Sequence, residues 1–366
     1  MKSLIGLLSC WLRATTRFLA IELLGRLLYY SGVLFAIGFL RQRVGRRRLF
    51  IPMYHRVRGR DELGDARLLA VQRGVPVDLL EKHLQIFRWF GPLKTLGEAF
   101  DHLHDPAKPG RNVIAITFDD GYRDNLTLAA PLLARHGVRA TIFPVVRTAS
   151  GGRPLWWDEL THTLARGNIN GGGLVPCLAN LEYCELSPAD RDRIGPRASR
   201  ASMARFLSER LVELPGTRRE RVLNSLAERL GVPPAESDHA HLYASWDELR
   251  AVADAGFEIG GHTLDHVVLP REDPVDAEIQ ITGSRKAIEQ LLRRPVRSFA
   301  YPNGRHDATV RALTAAAGYR LAITVEHGVN YADTDPYALR RMPISRERPF
   351  ELALKLAFYG WVNRGK

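Results

Sequence analysis

Short, almost continuously apolar runs alternate with longer amphipathic stretches through most of the chain from residue 49 to residue 345. A run such as residues 113–118 is typical of a strand buried on both faces of a parallel sheet. This alternation predicts a parallel α/β barrel or sheet. The predicted strands cover residues 49–54, 113–118, 138–145, 257–260, 296–301 and 319–324, and the predicted helices cover 78–90, 126–136, 246–255, 274–292 and 308–317.

Residues 150–244 interrupt this alternation. Glycine-rich stretches there flank helix-like, arginine-rich segments at residues 201–214 and 218–230. The pattern predicts a mostly helical insertion within one large domain that covers residues 49–345, followed by a C-terminal helix or tail at residues 346–366.

The first 48 residues differ in composition from the rest. Their longest uninterrupted apolar run, residues 27–40, has 14 residues, whereas a straight bilayer span needs roughly 20. A basic cluster follows at residues 41–48. We therefore predict that residues 1–48 form an amphipathic helix in the membrane surface, its arginines facing anionic headgroups, with the following domain on the cytoplasmic side. The alternative is a helix packed on the domain itself.

The formal net charge of +12 arises almost entirely from the N-terminal part of the chain. Residues 1–60 contain 12 Lys and Arg residues and a single acidic residue, Glu22. Because the remaining chain is close to neutral, we do not expect a basic groove across the domain. The charge distribution therefore predicts no nucleic-acid partner.

Two adjacent carboxylates, Asp119 and Asp120, follow the apolar run at residues 113–118 and precede Gly121. Ligand sites in parallel α/β folds gather at the carboxyl ends of strands. Neighbouring residues of an extended chain point to opposite sides, so a bend here would let one Asp bind a metal while the other faces a substrate. An Asp-Gly turn with no further role is the alternative.

Two histidines, His262 and His266, follow the predicted strand at residues 257–260. They can converge on one ion if the loop makes a helical turn. Metalloproteases of the His-Glu-x-x-His type carry their base directly after the first His, where this chain has Thr263. One carboxylate with the two imidazoles gives three ligands, and the second Asp can then act as base. Solvated loop histidines are the alternative.

Two further segments lie at predicted strand ends. Residues 299–304, Phe-Ala-Tyr-Pro-Asn-Gly, read either as a simple turn or as a loop that aims a backbone N–H at a developing oxyanion. His55 follows the strand at residues 49–54, so it could lie at the same end of the sheet as the other motifs. Neither segment is decisive by itself.

The motifs together, in this order, resemble those of the polysaccharide deacetylase family, whose shared region is called the NodB homology domain. The resembling segments are residues 117–121, 262–266 and 299–304. The resemblance covers residues 49–345 outside the insertion and implies a distorted (β/α) barrel. It also implies one divalent metal ion, commonly zinc, held by Asp120, His262 and His266.

The same resemblance implies roles for the residues around that ion. Asp119 would be the general base, and a backbone N–H near Asn303 would be the oxyanion donor. We expect Tyr301, Pro302 and Tyr122 to lie beside the substrate with them.

Two positions depart from the pattern of many family members. Residues 339–344 lack the general-acid His that many members carry near the C-terminus. One branch carries this His on the first strand, in a Tyr-His sequence, so we assign His55 as the general acid. Ala300 occupies the place of a base-orienting arginine, and Arg340 and Arg341 are the candidates to replace it.

These features predict metal-dependent hydrolysis of N-acetyl groups on a carbohydrate, as part of a cell-envelope polymer, an exopolysaccharide or its precursor. Trp156, Trp157 and Tyr122 could stack on sugar rings or could be core aromatics. The alternatives are a hydrolase of a cyclic amide or ureide and a non-catalytic carbohydrate-binding protein with a vestigial site. A mononuclear iron oxygenase also uses two His and one carboxylate, but it would not explain the paired Asp119 and Asp120.

Overall fold

The computed structural model describes residues 22–59, 74–107, 112–169, 173–178, 186–233 and 240–358. The strands within these ranges are short and parallel to their neighbours. They are β1 (Arg48–Phe50), β2 (Pro52–Tyr54), β3 (Val57–Arg58), β4 (Val75–Pro76), β5 (Asn112–Ile114), β6 (Thr117–Asp120), β7 (Thr141–Pro144), β8 (Glu258–Ile259), β9 (Ser298–Ala300), β10 (Leu321–His327) and β11 (Leu339–Pro343).

Seven of these strands form one curled sheet in the order β8-β7-β6-β2-β11-β10-β9. Its two outer strands meet at a parallel bridge between Gly261 and Phe299. Gly261 N–H donates to Ser298 O at 2.9 Å, and Ala300 N–H donates to Gly261 O at 2.9 Å. The sheet is therefore a nearly closed parallel barrel, which confirms the predicted (β/α) barrel.

Two consecutive glycines permit the barrel to close. A Cβ atom on Gly260 would lie 2.2 Å from the Phe143 ring, and one on Gly261 would lie 2.1 Å from the Tyr319 hydroxyl. A larger residue at either position would force the strands apart directly before His262. The closure of the barrel and the placement of that histidine therefore depend on the same short segment.

Two strands that the sequence predicts as continuous are each broken in the structure. β1 pairs with β5, and after a short interruption β2 pairs with β6 in the same register, Phe50 opposite Ile114 and Met53 opposite Thr117. Both strands are interrupted at the same level, so backbone pairing resumes after the break. The apolar pattern could not show this, because these positions are buried on both sides of the kink.

Helices surround the barrel, and five of them belong to the insertion. The helices are α1 (Glu22–Tyr30), α2 (Val33–Arg43), α3 (Val77–Phe90), α4 (Leu96–His104), α5 (Ala130–Arg135), α6 (Val146–Ala149), α7 (Trp156–Arg166), α8 (Val175–Leu178), α9 (Pro188–Ile194), α10 (Arg200–Leu211), α11 (Gly216–Arg229), α12 (Trp246–Asp254), α13 (Pro274–Leu292), α14 (Ala308–Ala316) and α15 (Pro349–Phe358). Helices α7–α11 share an apolar cluster of their own, which includes Leu160, Phe206 and Leu223. The predicted helical insertion is thus present as a second small core beside the barrel.

Helices α1 and α2 pack against the domain on one face only. Gly38 lies against Phe90 of α3, and Gly25 lies against Phe350 of α15. Within the described residues no single helix is long and apolar enough to cross a bilayer, although α1 and α2 together, bent by 70°, have the required length and composition. Residues 1–21 of the predicted N-terminal segment, 1–48, and residues 359–366 of the predicted C-terminal helix or tail, 346–366, lie outside the described residues.

Candidate active site

The strand β6 ends in a sharp bend that separates its two carboxylates. Asp120 and Gly121 both adopt left-handed backbone conformations, with φ of 72° and 69°. A Cβ atom on Gly121 would lie 2.8 Å from Pro144 Cα, so only glycine fits there. The bend lets Asp119 and Asp120, both buried, meet different partners.

Asp120 is the centre of a compact set of three potential metal ligands. Its Oδ1 atom lies 3.5 Å from His262 Nε2 and 3.4 Å from His266 Nε2. The three ligand atoms lie within 4.8 Å of one another, and all three side chains are buried. Asp120 Oδ2 is buried without a hydrogen-bond partner among the described residues. Two imidazoles, one carboxylate and this unsatisfied oxygen fit a zinc-type ion that keeps positions open for other ligands.

His262 is oriented by the backbone of the neighbouring strand. Its Nδ1 atom lies 2.7 Å from Ala300 O. A carbonyl can only accept, so Nδ1 carries the hydrogen and Nε2 faces Asp120. Ala300, at the position that lacks the family's arginine, thus orients a potential metal ligand through its carbonyl.

The pKa values of the two histidines shift in opposite directions. Burial, together with the charge of His262, lowers the pKa of His266 to about 3. Burial also opposes the charged form of His262, but the hydrogen bond to Asp120 and the charge of Asp119 outweigh it and raise the pKa of His262. His266 is therefore neutral, as a metal ligand must be, whereas His262 binds a proton more readily than an ordinary histidine, so a cation there would compete with a proton.

Asp119 forms a buried ion pair on the other side of the bend. Arg341 Nη1 lies 2.8 Å from each carboxylate oxygen of Asp119, and Arg341 is completely buried. Burial opposes ionisation, but the charges of Arg341 and His262 outweigh it and lower the pKa of Asp119 to about 2. Asp119 is therefore ionised at neutral pH and is held in one orientation.

Arg341, rather than Arg340, is the arginine that contacts the carboxylate. Arg341 Nε also donates to the backbone carbonyl of Thr324 on β10. Arg340 points outward, half-exposed, with Glu326 at 3.9 Å. Successive residues of β11 point to opposite sides, and this alternation decides between the two candidates.

His55 lies on the loop after β2, and two residues that follow the Asp pair hold this loop in place. Asn125 Nδ2 donates to His55 O at 2.7 Å. Asp124 accepts the Val57 N–H at 3.0 Å and binds Arg56 Nε at 2.7 Å. The first strand's loop is therefore fixed to the segment that carries Asp119 and Asp120.

A cleft of about 520 Å³ brings most of the predicted site residues together. Its barrel side is lined by His55, Asp119, Asp120, His262, His266 and Asn303. Its other side comes from the insertion and is lined by Trp156, Trp157, Ser208, Glu209 and Val212.

Three residues expected beside the substrate do not line this cleft. Tyr122 and Tyr301 are completely buried and Pro302 is buried. The Tyr122 hydroxyl binds Asp158, and the Tyr301 hydroxyl donates to Tyr337 O at 3.0 Å. Buried rings with occupied hydroxyl groups fit a role in positioning the loops better than direct contact with a sugar.

Backbone strain is concentrated around the cleft. Within the described ranges five residues other than glycine have positive φ, and four of them belong to the three motifs. These four are Asp120, Thr263, His266 and Asn303. Such conformations persist where the surrounding structure enforces them, which is common at functional sites.

A sequence model of the family described as Polysaccharide deacetylase matches residues 107–171 and 222–322 of the chain. The matched residues lie on both sides of the middle of the insertion and include Asp119, Asp120, His262 and His266. The chain belongs to the polysaccharide deacetylase family. By class, this makes the protein a carbohydrate deacetylase.

Individual relatives are distant but cover most of the chain. YxkH of Bacillus subtilis (strain 168), whose name describes a polysaccharide deacetylase, is 21% identical over 299 residues, which are 81% of this chain and 72% of that protein. The deacetylase PplD of Streptococcus pyogenes, solved in complex with acetate, has a TM-score of 0.53 at 17% identity, covering 86% of this chain and 99% of PplD. IcaB from Ammonifex degensii has a TM-score of 0.53 at 16% identity, covering 86% and 98%. These two structures support the barrel fold.

Apart from Arg341, which was one of two named candidates, sequence reasoning did not find the residues that hold the predicted catalytic groups in place. Asp124 and Asn125 belong to no recognisable motif, and Asp158 lies in the insertion, 36 residues from its partner Tyr122. The alternation of inward and outward residues along a strand could have distinguished Arg341 from Arg340, but the strand β11 itself was not predicted. Positioning contacts of this kind depend on tertiary packing rather than on local spacing.

Proposed function

We propose that this deacetylase is metal-dependent, uses zinc, and removes the acetyl group from an N-acetylated carbohydrate. The observation that carries the proposal is that two adjacent residues, Asp119 and Asp120, have different partners and so suit two different functions. Asp120 converges with His262 and His266, while Asp119 lies beside them on a separate buried arginine. A structural metal site would need only the first of these arrangements.

The residues divide the chemistry of amide hydrolysis among them. A divalent ion at the three ligands would supply Lewis-acid chemistry, polarising the acyl carbonyl and acidifying water. Asp119 accepts the proton of the attacking water, and His55 donates a proton to the departing nitrogen. A backbone N–H at Asn303 faces the developing oxyanion. The products are acetate and the free amine.

The insertion side of the cleft supports a sugar substrate. Trp156, Trp157 and Val212 give it an apolar surface, and Ser208 and Glu209 add polar groups. Aromatic faces beside a few polar groups suit the apolar faces and hydroxyls of pyranose rings. A hydrolase of a cyclic amide or ureide remains the competing function, because it needs the same ligands and base but not this surface.

Acetate release distinguishes these functions. The zinc-loaded full chain would be incubated with N-acetylglucosamine oligomers and, in parallel, with hydantoin and allantoin, with Asp119→Asn as the inactive control. We expect acetate only from the oligomers and only with the wild type. Ring opening of the cyclic compounds without acetate release would replace the proposed substrate class, and no turnover of either kind would favour the binding-protein alternative.

We also propose that helices α1 and α2 bind an anionic membrane surface, with the catalytic domain on the cytoplasmic side. Most of the exposed large apolar side chains in the described part of the chain lie on these helices. They are Leu23, Leu24, Leu27, Tyr30, Val33, Phe39 and Leu40. The adjoining residues 41–48 are rich in arginine, which favours anionic headgroups. The substrate would then be a cell-envelope or exopolysaccharide component, or its precursor, that is reached from the membrane.

Vesicle flotation tests this attachment. The full chain should float with vesicles that contain phosphatidylglycerol and less with neutral vesicles. Replacing Leu27 and Leu40 by Asp should release it, whereas Val275→Asp and Ile279→Asp, on the exposed face of α13, should not. Equal flotation of both double variants would contradict the proposal.

A further inference from the structure

A buried carboxylate of the insertion lies at the junction with the metal site. Asp158, on α7, is 3% exposed. Its Oδ2 atom accepts the Tyr122 hydroxyl at 2.7 Å and the Tyr243 hydroxyl at 2.5 Å.

The Tyr122 hydroxyl in turn holds a tryptophan against a metal ligand. It accepts the Trp157 Nε1–H at 2.8 Å. The Trp157 ring meets the His266 ring edge to face, with centroids 4.6 Å apart and planes at 81°. His266 Nδ1 has no hydrogen-bond partner among the described residues. His262 has a carbonyl at the equivalent atom, so His266 depends on ring packing for an orientation that His262 receives from a hydrogen bond.

The network also joins both ends of the insertion to the loop after the Asp pair. Tyr122 and Tyr243 form an antiparallel bridge, and their rings stack with centroids 5.3 Å apart. The Tyr243 hydroxyl accepts the Leu155 N–H at 3.0 Å. Arg56, on the loop that carries His55, lies over the Tyr122 ring at 4.9 Å. One set of contacts therefore connects the insertion, the loop of the first strand and both metal-ligand motifs.

We propose that Asp158 is a positioning residue for the metal ligand His266, acting through Tyr122 and Trp157, so that the insertion completes the metal site. This inference rests on the proposed function, because it assumes that His266 binds the ion. The Tyr122 hydroxyl donates to Asp158 and therefore presents a lone pair to the Trp157 Nε1–H. Without that carboxylate the hydroxyl can rotate, and Trp157 loses its fixed position beside His266.

Zinc affinity of the full chain tests the proposal without knowledge of the substrate. The dissociation constant would be measured by competition with a chelating dye for wild type, Asp158→Asn, Tyr122→Phe and the control Asp192→Asn, which changes an exposed Asp of the same insertion. We expect the constant to rise by about 10- to 100-fold in the first two variants and to stay unchanged in the control. The double variant should be no weaker than the weaker single variant, because both changes interrupt one chain of contacts.

A second readout separates positioning from simple destabilisation. Circular dichroism at the assay temperature would show whether each variant is folded, and Tyr122→Phe keeps the ring stack if Asp158→Asn does not fold. At saturating zinc, kcat for acetate release should return to within about threefold of wild type. Folded variants that bind zinc as tightly as wild type would overturn the inference and leave the metal-dependent function intact. A wild type that binds no zinc would overturn both.

Discussion

Side chains on the two walls of the cleft are held in place by different kinds of contact. On the barrel wall, the proposed catalytic side chains lie at strand ends, and His262 and Asp119 are fixed by direct partners, Ala300 O and Arg341. On the insertion wall, Trp157 reaches its position through hydroxyl groups and ring packing that span three segments of the chain. In the proposed mechanism the barrel wall provides the reacting groups, and the insertion wall provides a surface for the substrate and support for the barrel side chains.

This difference has a physical origin. Parallel strand ends converge whatever loops follow them, so backbone groups are available to orient catalytic side chains. An insertion lacks converging strand ends, so its contact with the site must be made by side chains, here those around the buried Asp158. Changes to the barrel wall should therefore act on turnover and metal binding, whereas changes to the cleft-facing insertion surface should act on substrate affinity.

The largest effect on turnover with the ion retained should come from His55→Ala. Loss of the proton donor should lower kcat by about 10²- to 10⁴-fold, as for general acids in other enzymes. Zinc content should stay at the wild-type level, because His55 is not among the three ligands. Steady-state kinetics with elemental analysis would show this, and the exposed His104→Ala is the matched control. Wild-type turnover of His55→Ala would remove the general-acid assignment.

A smaller loss of turnover is expected when Arg341 no longer orients the proposed base, Asp119. Arg341→Gln should lower kcat by roughly 10- to 100-fold and the free energy of unfolding by about 3–5 kcal/mol, because Asp119 is left buried without its ion pair. Arg340→Gln changes the exposed neighbour and should leave both unchanged. Similar kcat values for the two variants would contradict the assignment.

The same variant carries a pH prediction. In wild type the depressed pKa of Asp119, about 2, means that its stabilising contribution is present above its ordinary value of 3.8 and is lost as the pH falls toward 2. Without Arg341, burial raises the pKa, so the acid limb of kcat/KM should move to higher pH. An unchanged acid limb would show that another group controls it.

The smallest effect should come from the cleft-facing surface of the insertion. Trp156 lines the cleft, and its ring also contacts Trp157, with centroids 5.3 Å apart, and the buried Arg219, which lies 5.2 Å from its centroid. Trp156→Ala should raise KM by about 5- to 10-fold with kcat within about twofold, as expected for loss of one stacking surface worth roughly 1–1.5 kcal/mol. Trp89→Ala, at an exposed position on α3, is the control. A drop in kcat rather than a rise in KM would show that the insertion wall contributes to the chemical step.

The sequence predicted the barrel, the helical insertion and the three residues that the structure brings together as potential metal ligands, because short motifs at strand ends carry that information. It did not predict how Tyr122 is used. A tyrosine next to paired carboxylates could stack on a sugar, and only the distant Asp158 shows that its hydroxyl is occupied inside the protein. Arg341 was one of two candidates until the strand β11 fixed which arginine points inward. Both outcomes depend on partners that are remote in sequence.

The central claim is that Asp120, His262 and His266 hold one catalytic ion, and metal content tests it most directly. The full chain, loaded with zinc and dialysed, would be compared by elemental analysis with Asp120→Ala and His262→Ala. Asp265→Asn is the matched control, because Asp265 lies between the two histidines but binds Arg147 and Gln280. We expect about one ion per chain in wild type and control, and little in the other two. A wild type without zinc, or ligand variants that retain it, would contradict the account.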